Sequence, residues 1–102
     1  MRDPKFNAKV YDCASIAVTT ATTNGDMKTA SAGTLFANVS NANYVRIVTD
    51  QTISIRFNTT SMPAVVMTAT QSPLVFDQLN VGNIFITNTS GSIANLRIEL
   101  YS

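Results

Sequence analysis

The chain contains no histidine and no tryptophan, and among its 102 residues there is a single cysteine, Cys13. Without histidine there is no Ser-His or Cys-His nucleophile pair. The commonest general base and most zinc sites are excluded with it. One cysteine allows neither an internal disulfide nor a thiolate cluster, and Cys13, in a strand-like run, reads as a small buried hydrophobe. Charge is also scarce: Asp, Glu, Lys and Arg make up 13% of the chain, against about 25% in typical soluble domains. The formal net charge of +1 argues against a strong electrostatic grip on nucleic acid or on an anionic membrane. No apolar run approaches the length of a membrane span, and Met1-Arg2-Asp3-Pro4-Lys5 leads into nothing like a signal-peptide core. The expectation is a soluble protein made in a cytoplasm.

What fills the gap is Thr, Ser, Asn and Ala. Such a surface is polar but weakly self-repelling, and it costs less to desolvate against a partner than one dense with Lys and Glu. Length allows one domain with one modest core and leaves little for a deep cleft. Residues 1–8 are charged, carry a proline and lack periodicity, so they read as an N-terminal arm preceding a domain over 9–102.

The best-patterned stretch runs from Asn43 to Asn58. Val45 and Ile47, then Ile53, Ile55 and Phe57, fall on one face, with Arg46, Ser54 and Arg56 on the other. A period of two is what a half-buried strand requires, since successive side chains leave opposite faces. The stretch therefore reads as a hairpin turning at Asp50-Gln51. Alternation elsewhere places Val10, Ala14, Ile16 and Val18 on one face of a first strand, opposite Tyr11, Cys13, Ser15 and Ala17. A last strand sets Leu96, Ile98 and Leu100 inward, with Arg97, Glu99 and Tyr101 outward. Asn24-Gly25 is a strong turn signal because both positions tolerate positive φ. Pro63 suits the start of an edge strand, where no ladder donor is needed. In Met27–Val39 a helical reading suffers from Gly33 and the hydroxylated residues. An irregular strand with Leu35, Ala37 and Val39 inward is expected instead. The total is seven or eight short strands: an all-β, antiparallel β-sandwich with jelly-roll or Greek-key connections.

Reactive constellations are thin. Asp50 and Asp77, each followed by Gln, can face one another at one end of a sandwich, but neither lies in an aspartic-protease context. The spacing of an EF-hand loop is absent. Asn38-Val39-Ser40, Asn58-Thr59-Thr60 and Asn88-Thr89-Ser90 match a glycosylation acceptor pattern that chance supplies freely in so Asn- and Thr-rich a chain. Outward Arg46, Arg56 and Arg97 form a mild basic stripe beside Tyr44 or Tyr101 if their strands are neighbours; the plainer expectation is cross-strand pairing with Glu99 or with polar neighbours. No catalytic residue, cofactor or metal site is expected. Tyr11, Phe36, Phe85 and Tyr101 are expected on outer sheet faces, where aromatics either cover a second small core or meet another subunit. With Arg2, Lys5 and Phe6 of the arm, they are the candidate protein-contact residues.

Tyr44-Val45-Arg46-Ile47-Val48-Thr49-Asp50, the closing Ile84–Tyr101 segment and the Thr/Ser/Asn/Ala-rich composition resemble small structural proteins of tailed bacteriophages. The likeness covers roughly residues 43–101 and is strongest to β-sandwich head-decoration (cement) proteins and fibre-anchoring collars. It implies a non-enzymatic role on a virion, synthesised in the host cytoplasm. The implied partners are the major capsid protein or other virion subunits, and the implied assembly is a homo-oligomer, a trimer first. The arm would reach across neighbouring subunits, so deleting it should weaken attachment while sparing the fold. The alternative from another class is a glycan-binding module, whose mark would be exposed aromatics clustered with Asp or Asn.

Overall fold

The computed structural model describes residues 10–102, without the side chains of Gln78 and Leu79. The expected arm, with Arg2, Lys5 and Phe6, lies outside the described residues. Among the described residues are eight strands: β1 (Tyr11–Val18), β2 (Gly25–Asp26), β3 (Ala42–Thr49), β4 (Ile53–Phe57), β5 (Val65–Met67), β6 (Leu74–Val81), β7 (Ile84–Asn88) and β8 (Ala94–Tyr101). A short α-helix, α1 (Met27–Ala30), follows β2, and a 3-10 turn at Ala69–Gln71 precedes β6.

Two antiparallel sheets form, and among the described residues their strand orders are β1-β8-β3-β6 and β2-β7-β4-β5. The pairing is nested: first strand with eighth, second with seventh, third with sixth, fourth with fifth. This is a doubled-over ribbon rolled into two layers, the jelly-roll arrangement of the β-sandwich. Among the described strands, β4 and β5 are the one pair adjacent both in sequence and in a sheet.

The 43–58 stretch is accordingly not a hairpin. β3 belongs to the first sheet and β4 to the second, so the chain arches between layers at Asp50–Thr52. Thr49 shapes the arch, its hydroxyl donating to the Gln51 carbonyl at 2.8 Å and accepting from Gln51 N at 3.2 Å. Period-two alternation reports which face is buried and is silent about which strand lies alongside. The inward residues are those expected: Val45, Ile47, Ile53 and Ile55 are fully buried, as are Ile98 and Leu100. Each such aliphatic side chain contributes about 1.5–3 kcal/mol by leaving water. Phe57 and Phe76 are half-buried and meet edge-to-face with centroids 4.8 Å apart.

The 27–39 segment departs from the irregular strand expected. Asp26 accepts from Lys28 N and Thr29 N at 2.9 and 3.3 Å, capping α1. Beyond it, Ala32, Gly33 and Phe36 take positive φ of 55°, 82° and 61°, which turns the chain repeatedly and prevents a strand. Leu35 and Val39 are buried, but Ala37 is exposed. Phe36, expected outward, is buried in the core, because its left-handed backbone rotates the side chain inward from the register a strand would impose.

Asp12 is the unexpected inward residue of β1. It is buried among aliphatic neighbours, and its carboxylate accepts from Asn38 N, Val39 N and Asn38 Nδ2, each at 2.9 Å. It thereby ties the loop after α1 to the first strand.

Candidate functional site

The outer face of the first sheet carries the chain's most distinctive surface. Antiparallel register places Tyr11 of β1 opposite Tyr101 of β8, and Tyr101 opposite Tyr44 of β3. All three tyrosines of the sequence thus stand in one row across three strands. The Tyr11 and Tyr101 rings are 6.2 Å apart and tilted by 30°. Tyr44 meets Tyr101 edge-to-face at 5.6 Å and 72°. Asp77 of β6 closes the row beside Tyr44. Tyr11 is 64% exposed, the other two tyrosines half-buried.

The next row holds Cys13, Glu99, Arg46 and Val75, and the one beyond it Ser15, Arg97 and Val48. Glu99 is the hub. Its Oε2 accepts from Arg46 Nη1 at 3.0 Å and Arg97 Nε at 2.9 Å, and its Oε1 from the Tyr101 hydroxyl at 2.9 Å. Burial pushes the Glu99 carboxyl up, but hydrogen bonds from Arg97 and Tyr101 and the charges of Arg46 and Arg97 outweigh it and hold the group below the usual carboxylate range. Burial, then donation to the Glu99 carboxylate, pushes the Tyr101 phenol up to about 12. Arg97 is held above its ordinary value, first by its bond to Glu99. The result is a face whose buried carboxylate is partnered by Arg46, Arg97 and Tyr101 and whose two arginine side chains stay partly exposed.

The other candidates scatter. Phe85 is half-buried on the outer face of the second sheet, in register with Arg56 and Asp26. Arg56 does not join the stripe with Arg46 and Arg97; it donates to the Met62 carbonyl at 2.8 Å and to Asn24 Oδ1 at 2.7 Å. The pairing of Arg46 and Arg97 with Glu99 is as expected. Neither the place of Tyr44 in the row nor Glu99 as a hub is legible in the sequence, because both depend on strand order.

Asp50 and Asp77 do not face one another. Asp77 pairs with Tyr44 at the start of β3, while Asp50 follows its end, about 20 Å away at roughly 3.3 Å per residue. Asp50 instead accepts from Asn95 N and Nδ2 at 2.8 and 3.0 Å, and these bonds hold its carboxyl below the usual range. The three acceptor-pattern asparagines all have structural duties: Asn38 donates to Asp12, Asn58 braces Asn80 and Gly82, and Asn88 is buried. Among the described residues, no three His, Cys, Asp or Glu side chains come together to hold a metal ion.

Fold and face together define a small all-β protein of two antiparallel sheets with an aromatic–arginine sheet surface. No known protein-family model matches the chain, and no curated protein is significantly similar to it in sequence.

Proposed function

We propose that this protein is a non-enzymatic structural component that docks onto a larger protein assembly, as a decorating, cementing or adaptor subunit of a phage virion. The observation that carries the reading is the row of Tyr11, Tyr101 and Tyr44 beside Arg46 and Arg97. Tyrosine and arginine are the side chains that most often dominate protein–protein contacts, because each offers apolar area and a polar tip. Here they sit on a rigid sheet, so little side-chain freedom is lost on docking. The jelly roll is an architecture that capsid and lectin domains share, and it leaves the choice between them to the site.

A glycan platform is less well supported by this geometry. Tyr44 and Tyr101 meet at 72° and present no common ring plane, and the Glu99 carboxylate is already taken by Arg46, Arg97 and Tyr101. The test is co-sedimentation of purified protein with phage heads assembled without it, with a glycan array in parallel. Saturable binding to heads, lost in Tyr11→Ala and weakened in Arg97→Ala, is the expected result. Both side chains are largely exposed, so neither change should disturb the fold. Binding to the array and none to heads would overturn the reading.

A further inference from the structure

We propose that Asn24-Gly25 is a latent deamidation site, where the chain converts its own asparagine to aspartate or isoaspartate, and that Arg56 and Thr87 hold it unreacted while β2 stays paired. Among the asparagines of the sequence, Asn24 alone is followed by glycine. The fold asks for that pair. Asn24 lies in left-handed backbone with a φ of 49°, which asparagine tolerates better than most residues. At position 25 a Cβ would fall 2.6 Å from Thr22 Cγ2, which favours glycine there. The same dipeptide is the one most open to ring closure, because glycine puts no side chain in the way of its own amide nitrogen.

The reaction needs water and nothing else. Gly25 N attacks Asn24 Cγ and forms an N–C bond. The Gly25 amide proton leaves with the side-chain nitrogen as ammonia, and a cyclic imide remains. Water then opens the imide at either carbonyl. One product is aspartate. The other, isoaspartate, carries the main chain through the former side chain and so adds a methylene to the backbone. Either product takes the formal net charge from +1 to zero.

Attack requires Cγ against Gly25 N, and a misplacement of about 1 Å already removes most of such a rate. Register sets Gly25 beside Ile86 and Asp26 beside Phe85, with Arg56 beside Phe85 from the other side. Asn24 and Arg56 thus reach toward each other over β7. Arg56 Nη1 donates to Asn24 Oδ1 at 2.7 Å and its Nε to the Met62 carbonyl at 2.8 Å, so the guanidinium is itself anchored. Thr87 Oγ1 accepts from Asn24 N at 2.8 Å and donates to Asn24 Oδ1 at 3.4 Å. These bonds draw the amide across β7 and keep it from turning onto Gly25 N. The Arg56 bond also polarises the amide carbonyl, but polarisation counts for little while the reacting atoms are held apart. β2 is two residues long, so its pairing opens more readily than the whole domain, and opening releases the amide. Isoaspartate then bars return to the same register, and each conversion records an opening irreversibly. The site belongs to the second sheet, and its chemistry is independent of what the tyrosine row binds.

The experiment incubates the full chain in mildly alkaline buffer and follows it by peptide mass mapping and isoaspartate-specific methylation. Wild type unfolded in urea should convert at Asn24 about tenfold or more faster than folded wild type, and ahead of every other asparagine. Folded Arg56→Ala and Thr87→Val each remove one side of the hold and should convert at Asn24 about tenfold or more faster than folded wild type. Valine keeps the shape and strand preference of threonine, so Thr87→Val serves even where Arg56→Ala folds poorly. Glu99→Gln loosens the first sheet and leaves the Asn24 contacts in place, so it should convert no faster than wild type. Conversion of the Arg56 and Thr87 variants at the wild-type rate, or more slowly, would overturn the proposal. So would equal acceleration by Glu99→Gln, or another asparagine reacting before Asn24 in the unfolded chain.

Discussion

Tyr101 donates its hydroxyl to Glu99 Oε1 at 2.9 Å, two positions back along the same strand and on the same face of the sheet. The bond is made to a charged acceptor that two arginines also hold, so ionising the phenol there would set one anion against another. Burial first, and this contact with the Glu99 carboxylate second, raise Tyr101 from 10.0 to about 12. The folded state keeps this proton when the unfolded chain has lost it. The stabilisation is complete below pH 10 and is lost as pH rises toward 12. Phenolate absorbance should show a late phase belonging to Tyr101, and Tyr101→Phe should remove it. Chemical denaturation of Tyr101→Phe should depend less on pH between 10 and 12 than wild type.

Glu99→Gln keeps the shape of the hub and removes its charge. Bonds to an ionised acceptor are roughly twice as strong as neutral ones, so the cost expected is about 1–2 kcal/mol at neutral pH. The same substitution relieves the repulsion by Glu99, so Tyr101 should titrate earlier than in wild type while the part of the shift due to burial stays. Arg97→Ala behaves differently. Its side chain is half-exposed and its ion pair is screened by solvent, so stability should hardly change. Denaturant midpoints of the two variants would separate hub from rim.

Asp12 predicts the acid limb. Burial pushes its carboxyl up, but hydrogen bonds from Val39 N, Asn38 N and Asn38 Nδ2 prevail and hold it below its ordinary value. A depressed carboxyl contributes stability that is present above its unfolded value of 3.8 and lost as pH falls below it. Asp12→Ala strands two backbone N–H groups and should cost about 2–3 kcal/mol at pH 7. Its thermal midpoint should then fall less than that of wild type between pH 5 and pH 2. Equal acid sensitivity in both proteins would remove Asp12 from this role.

Faces were legible in the sequence, and neighbours were not. Alternation put Leu96, Ile98 and Leu100 inward and Arg97 and Tyr101 outward, as found, because burial acts on each strand one residue at a time. Whether β3 turns back on itself or arches to the other sheet depends on backbone pairing, which leaves no mark in the order of side chains. The hairpin reading failed for that reason, and the tyrosine row stayed hidden for the same one: Tyr11, Tyr44 and Tyr101 meet solely because β8 lies between β1 and β3. Phe36 shows a third limit. Its positive φ belongs to a tertiary arrangement that holds a large residue where local preference favours glycine or asparagine. Asp12 leaves no mark in the alternation because its partners, Asn38 and Val39, lie in a loop 26 and 27 residues further along the chain.

Asn88 tests the arch between β7 and β8, where the chain changes sheets for the last time. It is buried; its Nδ2 donates to the Val18 and Ser92 carbonyls at 3.0 and 2.7 Å, and its Oδ1 accepts from Ser90 N and Oγ at 3.0 and 2.7 Å. Both ends of the amide are used, so neither an acceptor alone nor a methyl group replaces it. Asn88→Ala leaves two carbonyls without these donors and should cost about 2–4 kcal/mol. Asn88→Asp should cost more at neutral pH, since it sets a carboxylate against those carbonyls, and should recover part of the loss in mild acid as the carboxyl gains a donor proton. Thermal unfolding of both variants at pH 7 and pH 4.5 distinguishes the cases. If Asn88→Asp were the more stable of the two at pH 7, the donor role assigned to Nδ2 would be wrong.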